Sequence, residues 1–337
     1  MFVEYPLVSV VIPTHNSAGT INTAVASLEA QTYRGFQVVI VDDASTDATP
    51  VILKHRFDSH PDYDVLLLPE NGGPARARNR AIAQAAGEWL AFLDADDAWL
   101  PDKLQVQLEQ AKANHDVALW CGTTIPFTAR SADSAFRACR GVVRRGGRSR
   151  IPRSALDGRD EMPPGNKQHN NFACRKIRLE EFITENPVAT STVLVKRDAL
   201  EAVGGFDEQF CGPEDYDLWM RIVQAYPAML INKPLSRYRY TPGSLSMNDC
   251  TFLPQVLRVL DKAFGDGGAL EQYREFRESA VSNQLWNASW MAFHRGARGT
   301  AVRYWWRAWR MNQCSRRPIS RAWLRLLARY VFGRPQA

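Results

Sequence analysis

Along the first hundred residues the apolar positions alternate between two periods. Residues 7–12 (LVSVVI) and 38–41 (VVIV) are short, continuous, β-branched runs of the kind that form strands buried on both faces. Between them Ile21, Ala24, Val25 and Leu28 recur at helical spacing within Thr20–Ala30. The alternation continues with a helix over Thr46–Arg56, a strand over Asp64–Leu68, an Ala/Arg-rich helix over Ala75–Ala86 and a strand over Trp89–Leu93. This order predicts an α/β fold with a doubly wound, mostly parallel sheet. Ligands of such sheets bind in the crevice at the carboxyl ends of the strands.

A helix over Pro101–Ala113 and a strand over Val117–Cys121 extend the pattern, which then breaks down. Residues 128–176 hold few apolar side chains and many Arg, Gly, Pro and Asn, and they read as a long loop. Regular structure is expected again as a helix over Leu179–Ile183, a strand over Ser191–Val195 and a helix over Asp198–Val203. From about residue 252 the sequence is helical in character and carries Trp286, Trp290, Trp305, Trp306, Trp309 and Trp323. The expected organisation is a larger domain over 1–250 and a helical, basic, Trp-rich region over 251–337.

Composition narrows the function classes. A chain of 337 residues can bury a self-sufficient core, and its six cysteines are scattered without the close pairs of a zinc site or redox dithiol. The start of the chain lacks a basic segment, and no run of 18 apolar residues occurs, so the expectation is a cytoplasmic protein, soluble or peripheral at the membrane. The net charge of +6 is unevenly placed: residues 295–337 contain eleven Arg and no Asp, Glu or Lys, which leaves residues 1–294 at −5. A second basic cluster, Arg137 to Arg153, falls within the 128–176 stretch. Over Ser320–Phe332, Arg321, Arg325 and Arg329 recur every four residues among apolar ones, the pattern of a basic amphipathic helix. Trp beside Arg suits an anionic membrane surface contacted through 295–337, although the same Trp residues also suit packing against the larger domain. No motif for reading nucleic acid accompanies the arginines, so a nucleic-acid partner is not expected.

The candidate chemistry sits at the predicted strand ends. Asp42 and Asp43 close the second strand, and Asp94, Asp96 and Asp97 close the fourth. A single Asp after a strand is commonly a cap or turn residue. Five carboxylates in one crevice repel unless hydrogen bonds or a cation compensate, and hard oxygen donors with phosphates completing the shell suit Mg2+ or Mn2+.

Six segments, VSVVIPTHN (8–16), VVIVDDASTDAT (38–49), ENGGPARARN (70–79), FLDADD (92–97), GGFDE (204–208) and EDYDLWMR (214–221), together resemble glycosyltransferase family 2 in order and spacing. The resemblance implies a GT-A, Rossmann-like fold with a C-terminal helical extension. It also implies a nucleotide-diphospho-sugar donor and transfer to an acceptor hydroxyl with inversion. Position by position, Pro13, His15 and Asn16 match the start of the nucleoside pocket. Asp43 resembles the carboxylate that pairs with the imino N–H of uracil, which favours a UDP-sugar; thymine exposes the same group. Arg78 matches the basic residue near the base or diphosphate. Asp94 and Asp96 match the ends of a D-x-D motif, with Asp94 toward the ribose and Asp96, together with Asp97, toward the metal. Asp215 aligns with the catalytic base, while Glu214, Trp219 and Arg221 are expected to divide between contacts to the acceptor, a cell-surface or lipid-linked glycan, and support of the site, with Trp219 equally suited to the core. One departure stands out: Tyr238, Arg239 and Tyr240 are followed by Thr241, where the family often has a His. That loss motivates the alternative of a non-catalytic nucleotide- or glycan-binding relative.

Overall fold

The computed structural model describes residues 8–57, 60–126, 172–239 and 248–312. The Arg137–Arg153 cluster, Thr241 and the Ser320–Phe332 helix lie outside them. The first half alternates as the periodicity predicts: β1 (Val8–Thr14), α1 (Ile21–Glu29), β2 (Phe36–Asp42), α2 (Thr49–Phe57), β3 (Tyr63–Leu67), α3 (Gly73–Gln84) and β4 (Trp89–Phe92). β1 lies between β2 and β4, and all of β1 to β4 run parallel. The register Thr14↔Asp42 places the ends of β1 and β2 side by side.

Beyond β4 the sheet becomes mixed. β5 (Ala98–Trp99), α4 (Lys103–Ala113), β6 (Leu119–Pro126), β7 (Cys174–Lys176), β8 (Leu194–Lys196), α5 (Arg197–Ala202), α6 (Glu214–Ala225) and β9 (Ala228–Tyr238) follow in sequence. The strand order is β3-β2-β1-β4-β8-β6-β9-β5, with β7 also on β9. β8 runs antiparallel to both β4 and β6, whereas β6 and β9 are parallel.

The structure corrects several expectations. The 128–176 stretch is not loop to its end, because Cys174–Lys176 pairs with Met229–Ile231. Leu179–Ile183 forms a 3-10 turn rather than an α-helix. The strand expected from Ser191 begins only at Leu194, because Thr190–Thr192 is a 3-10 turn in which the Thr192 hydroxyl donates to the Ala189 carbonyl (2.7 Å). Short hydroxyl side chains compete for backbone groups in this way. β9 has no counterpart in the apolar periodicity, since Asn232, Lys233, Pro234 and Ser236 interrupt it. Pro234 is tolerated where the β6–β9 register shifts.

The sheet is covered on both faces. Val10, Ile12 and Ile40 pack with Leu28, Leu53 and Leu104 from α1, α2 and α4. Val11 and Phe92 point to the other face, where Ala77 of α3 and Trp219 of α6 lie. That second core also takes in Leu253, Val259 and Leu285, from α7 (Asp249–Phe264) and α8 (Arg277–His294). The chain ends its described part in α9 (Arg298–Asn312). The core is thus continuous across residue 250, and no described helix is long and apolar enough to cross a membrane.

Candidate active site

The carboxyl ends of β1, β2 and β4 and the N-termini of α3 and α6 meet at one crevice. At the end of β2 every carboxylate oxygen is engaged. Asp42 accepts from the Thr14 hydroxyl (3.1 Å) and from the Ser45 hydroxyl and amide (2.5 and 3.0 Å). Asp43 accepts from the amides of Gly72 and Gly73 (2.8 and 2.7 Å), which open α3. Gly73 has φ +85°, so the turn needs glycine there. His15 Nδ1 donates to the Asp43 carbonyl (2.8 Å), and the Asn16 carboxamide oxygen accepts from the amides of Thr46 and Asp47 (2.8 and 3.3 Å). Asn16 and Ala44 both have positive φ, which folds the two loops against each other. Pro13 is half-buried while His15 and Asn16 are exposed, so this wall presents a ring, an amide and a proline to solvent.

The other wall is charged. Arg78, on α3 and 5% exposed, donates to Asp94 (2.7 Å) and to Glu214 (2.5 Å). Burial alone would lower its pKa, but the negative charges of Asp94 and Glu214 outweigh that and raise it. Its Nε is buried without a hydrogen-bond partner among the described residues. Asp215, the second residue of α6, accepts from the Thr190 hydroxyl (2.8 Å) and the Asn186 carboxamide (3.3 Å). Burial, and then the neighbouring Glu214, push its carboxyl up to about 7. Asp97 is 2% exposed and accepts from the Arg239 amide (2.9 Å); burial and the charge of Asp94 push it up to about 8. Arg239 Nε donates to the Asp96 carbonyl (2.7 Å), and Ser191 Oγ accepts from the Asp94 amide (3.1 Å).

The structure therefore brings together Arg78, Asp94, Glu214 and Asp215, with Asp96 and Asp97 on the same loop as Asp94. It does not bring in two of the residues expected at the acceptor. Trp219 is fully buried, packed edge-on against Phe92 and Phe206 with ring centroids 5.7 and 5.9 Å away. Arg221 is used up by Asp217 (2.6 Å) and by the Val203 and Gly205 carbonyls (2.5 and 2.8 Å). Glu214 is 3% exposed and serves Arg78 and the Gly212 amide, so it supports the site from beneath. Asn186, Thr190 and Ser191 are additions that the sequence motifs do not mark, and Arg239, part of the segment that lacks the family's His, gains a role at the Asp96–Asp97 loop. The Thr-Ser-Thr run directly before a strand is the only signal for Thr190 and Ser191.

Among the described residues no group of three His, Cys, Asp or Glu side chains is arranged to hold a metal ion. The donor set still fits Mg2+ or Mn2+, which bind through one or two carboxylates and take remaining oxygens from water and phosphates. Asp97 points the same way, because a buried carboxyl held near 8 needs a proton or a cation to settle its charge.

The chain matches Glycosyl transferase family 2 over residues 9–182 and Glycosyltransferase like family 2 over 158–288. It is 30% identical over 237 residues to the amylovoran biosynthesis glycosyltransferase AmsB of Erwinia amylovora, covering 68% of each chain. It is 26% identical over 256 residues to WfgD of Escherichia coli, a UDP-Glc:alpha-D-GlcNAc-diphosphoundecaprenol beta-1,3-glucosyltransferase, covering 75% of this chain and 85% of that one. Four further relatives are matched over only 41% to 59% of their length. In fold it is similar to the mannosyltransferase PcManGT from Pyrobaculum calidifontis, solved with GDP-Man and Mn2+, at a TM-score of 0.61 and 20% identity over 98% of this chain and 81% of that one. The family match spans half the chain and its motifs converge on this crevice: the protein belongs to glycosyltransferase family 2 and has the GT-A fold.

Proposed function

We propose that this protein transfers a sugar from a nucleotide-diphospho-sugar, a UDP-sugar in the first instance, to an acceptor hydroxyl with inversion, in the building of a polysaccharide. The observation that carries the proposal is the Arg78 bridge. One buried guanidinium ties Asp94, on the loop after β4, to Glu214, the neighbour of Asp215. A donor-side acid and a candidate base are thereby fixed in one crevice.

In this reading Pro13, His15 and Asn16 shape the nucleoside pocket. Asp43 holds the 71–73 turn and offers a remaining lone pair to the imino N–H of the base. Asp96 and Asp97 would hold Mg2+ or Mn2+, which when bound offsets charge on the departing diphosphate. Asp215 takes the acceptor proton, and its raised pKa suits a base working near neutral pH. The lipid-linked acceptor in WfgD's name, and the amylovoran biosynthesis in AmsB's, support a lipid-linked or cell-surface glycan here.

The test is a screen of nucleotide-sugars for UDP, GDP or dTDP release with and without EDTA, followed by NMR of the anomeric product. Release from UDP-sugars that stops with EDTA, and an inverted product, are expected; release unaffected by EDTA removes the metal, and a retained configuration removes the mechanism. α9 adds a location to the proposal. Trp305, Trp306 and Trp309 form one aromatic cluster there beside Arg303, Arg307 and Arg310, with Trp306 49% exposed. Flotation with anionic but not neutral vesicles, weakened by salt, is expected of a face that docks on a membrane; equal binding to both, or none, would assign these tryptophans to packing.

A further inference from the structure

Three consecutive carbonyls, those of Ser191, Thr192 and Val193, are each captured by a buried side chain from β5 or α4. Trp99 Nε1 donates to Ser191 (2.7 Å), Gln107 Nε2 to Thr192 (2.8 Å) and Lys103 Nζ to Val193 (3.2 Å). Lys103 and Gln107 have no exposure and are joined to each other (2.8 Å), and Lys103 Nζ lies 4.0 Å from the centroid of the Trp99 ring. Burying an amine, whose charged form burial disfavours, and a carboxamide is costly, and apolar side chains would fill the same space without that cost. What the polar set supplies is a fixed position for the Thr190–Thr192 turn.

The turn's hydroxyls face two different parts of the crevice. Ser191 accepts from the Asp94 amide and hydrogen-bonds the Asp97 carboxylate. Thr190 accepts from the indole N–H of Trp219 (3.3 Å) and donates to Asp215 Oδ2 (2.8 Å). An indole N–H is only a donor, so the single hydroxyl proton of Thr190 is committed to Asp215. Adjacent residues of one braced turn therefore touch the D-x-D loop and the candidate base.

We propose that Thr190 is a positioning residue for the transfer: its hydroxyl, oriented by Trp219 and carried on the turn braced by Trp99, Lys103 and Gln107, fixes the rotamer of Asp215 relative to the Asp94–Asp97 loop. The proposal rests on Asp215 being the base. The charged groups facing Asp215 are Glu214 from α6, Arg78 from α3 and Asp94 from the loop after β4, with the neutral Asn186 beside them. Among these, the Thr190 bond is one that favours the ionised form without contributing net charge.

The test is a pH titration of 13C-aspartate-labelled full-length protein by NMR, with the Asp215 carboxyl resonance identified by its loss in Asp215→Asn. Thr190→Val should raise the Asp215 midpoint by about one pH unit, the effect expected of losing one hydrogen bond to a carboxylate. Thr190→Ser, which keeps the hydroxyl, should leave it within a few tenths. Thr190→Ala gives the same reading as the valine variant if that one does not fold. A lowered melting temperature with an unmoved midpoint would mean that Thr190 only packs, and would overturn the proposal. Retention of transfer by Asp215→Asn would instead remove the base assignment, a failure the titration does not share.

Discussion

At the end of β2, Asp42 and Asp43 are buried among neutral donors: two hydroxyls and three main-chain amides serve their four oxygens. Across the crevice, Asp94, Glu214 and Asp215 gather around a single guanidinium, with Asp97 close behind. In the sequence the two strand-end clusters look alike. In the folded chain one is a loop anchor and the other holds more negative charge than its cation can balance. The difference teaches that the number of carboxylates at a strand end matters less than the kind of partner each finds. Amides and hydroxyls make an acid a loop anchor that keeps at most a spare lone pair for a neutral donor, while an excess of acids over cations leaves protons and metal ions something to do.

The most damaging way to test the charged wall is Asp215→Asn. Transfer is expected to fall at least about a hundredfold, the usual contribution of a positioned general base, with donor affinity changed only a few-fold. In the unmodified protein the transfer rate should rise about tenfold per pH unit up to about 7, where Asp215 loses its proton, and level off above it. A rate flat from pH 5 to 8 would take the base role away from this residue.

Arg78→Met comes next. It leaves Glu214 buried with no cation, a situation that typically costs about 3 kcal/mol or more. Urea unfolding measures the loss, and the equivalent substitution at an exposed pair such as Arg56–Glu29 should cost less than about 1 kcal/mol. Similar losses from the two would mean that Glu214 reaches water and that the bridge is not what fixes the crevice.

Much of this wall is legible in the amino-acid sequence. The parallel strands β1, β2 and β4 follow from their apolar runs, because a strand buried on two faces leaves little freedom in composition. The acids Asp94, Asp96, Asp97 and Asp215 and their partner Arg78 are visible as motifs. Their pairing is not, since Arg78 and Glu214 lie 136 residues apart and only the tertiary fold joins them. Trp219 and Arg221 follow Asp215 closely in sequence, yet Trp219, one helical turn further on, is sealed into the core, and Arg221 is turned toward Asp217 on another face of the helix. Thr190, Ser191 and β9 stay hidden for a related reason. Their roles come from hydrogen bonds to groups distant in sequence, which leave no periodicity behind.

The two raised carboxyls also predict how stability varies with pH. Between the unfolded value of about 4 and their folded values of about 7 and 8, Asp215 and Asp97 hold protons in the folded chain that the unfolded chain has released. The stability they contribute is complete below about pH 4 and is lost as pH rises through 7 to 8, by up to about 1.4 kcal/mol per pH unit for each group. Unfolding monitored from pH 5 to 8 should show this decline, and Asp215→Asn or Asp97→Asn should each flatten it. A slope that neither substitution changes would place the decline elsewhere in the molecule.

The smallest expected effect belongs to the neutral wall. Asp42→Asn keeps the shape of the side chain but turns one of its acceptors into a donor, facing either the Ser45 amide or the hydroxyls of Thr14 and Ser45. A hydroxyl can rotate to accept where it formerly donated, whereas an amide cannot. The amide oxygen should therefore settle on Ser45 N–H, leaving the hydroxyls to adapt. A loss of about 1 kcal/mol is expected, the net worth of one hydrogen bond, with UDP affinity and catalytic rate nearly unchanged. Calorimetric unfolding and UDP titration of the same preparation measure both quantities. A tenfold or greater drop in UDP affinity at unchanged stability would show that Asp42 serves the ligand directly, and the distinction drawn between the two walls would fail.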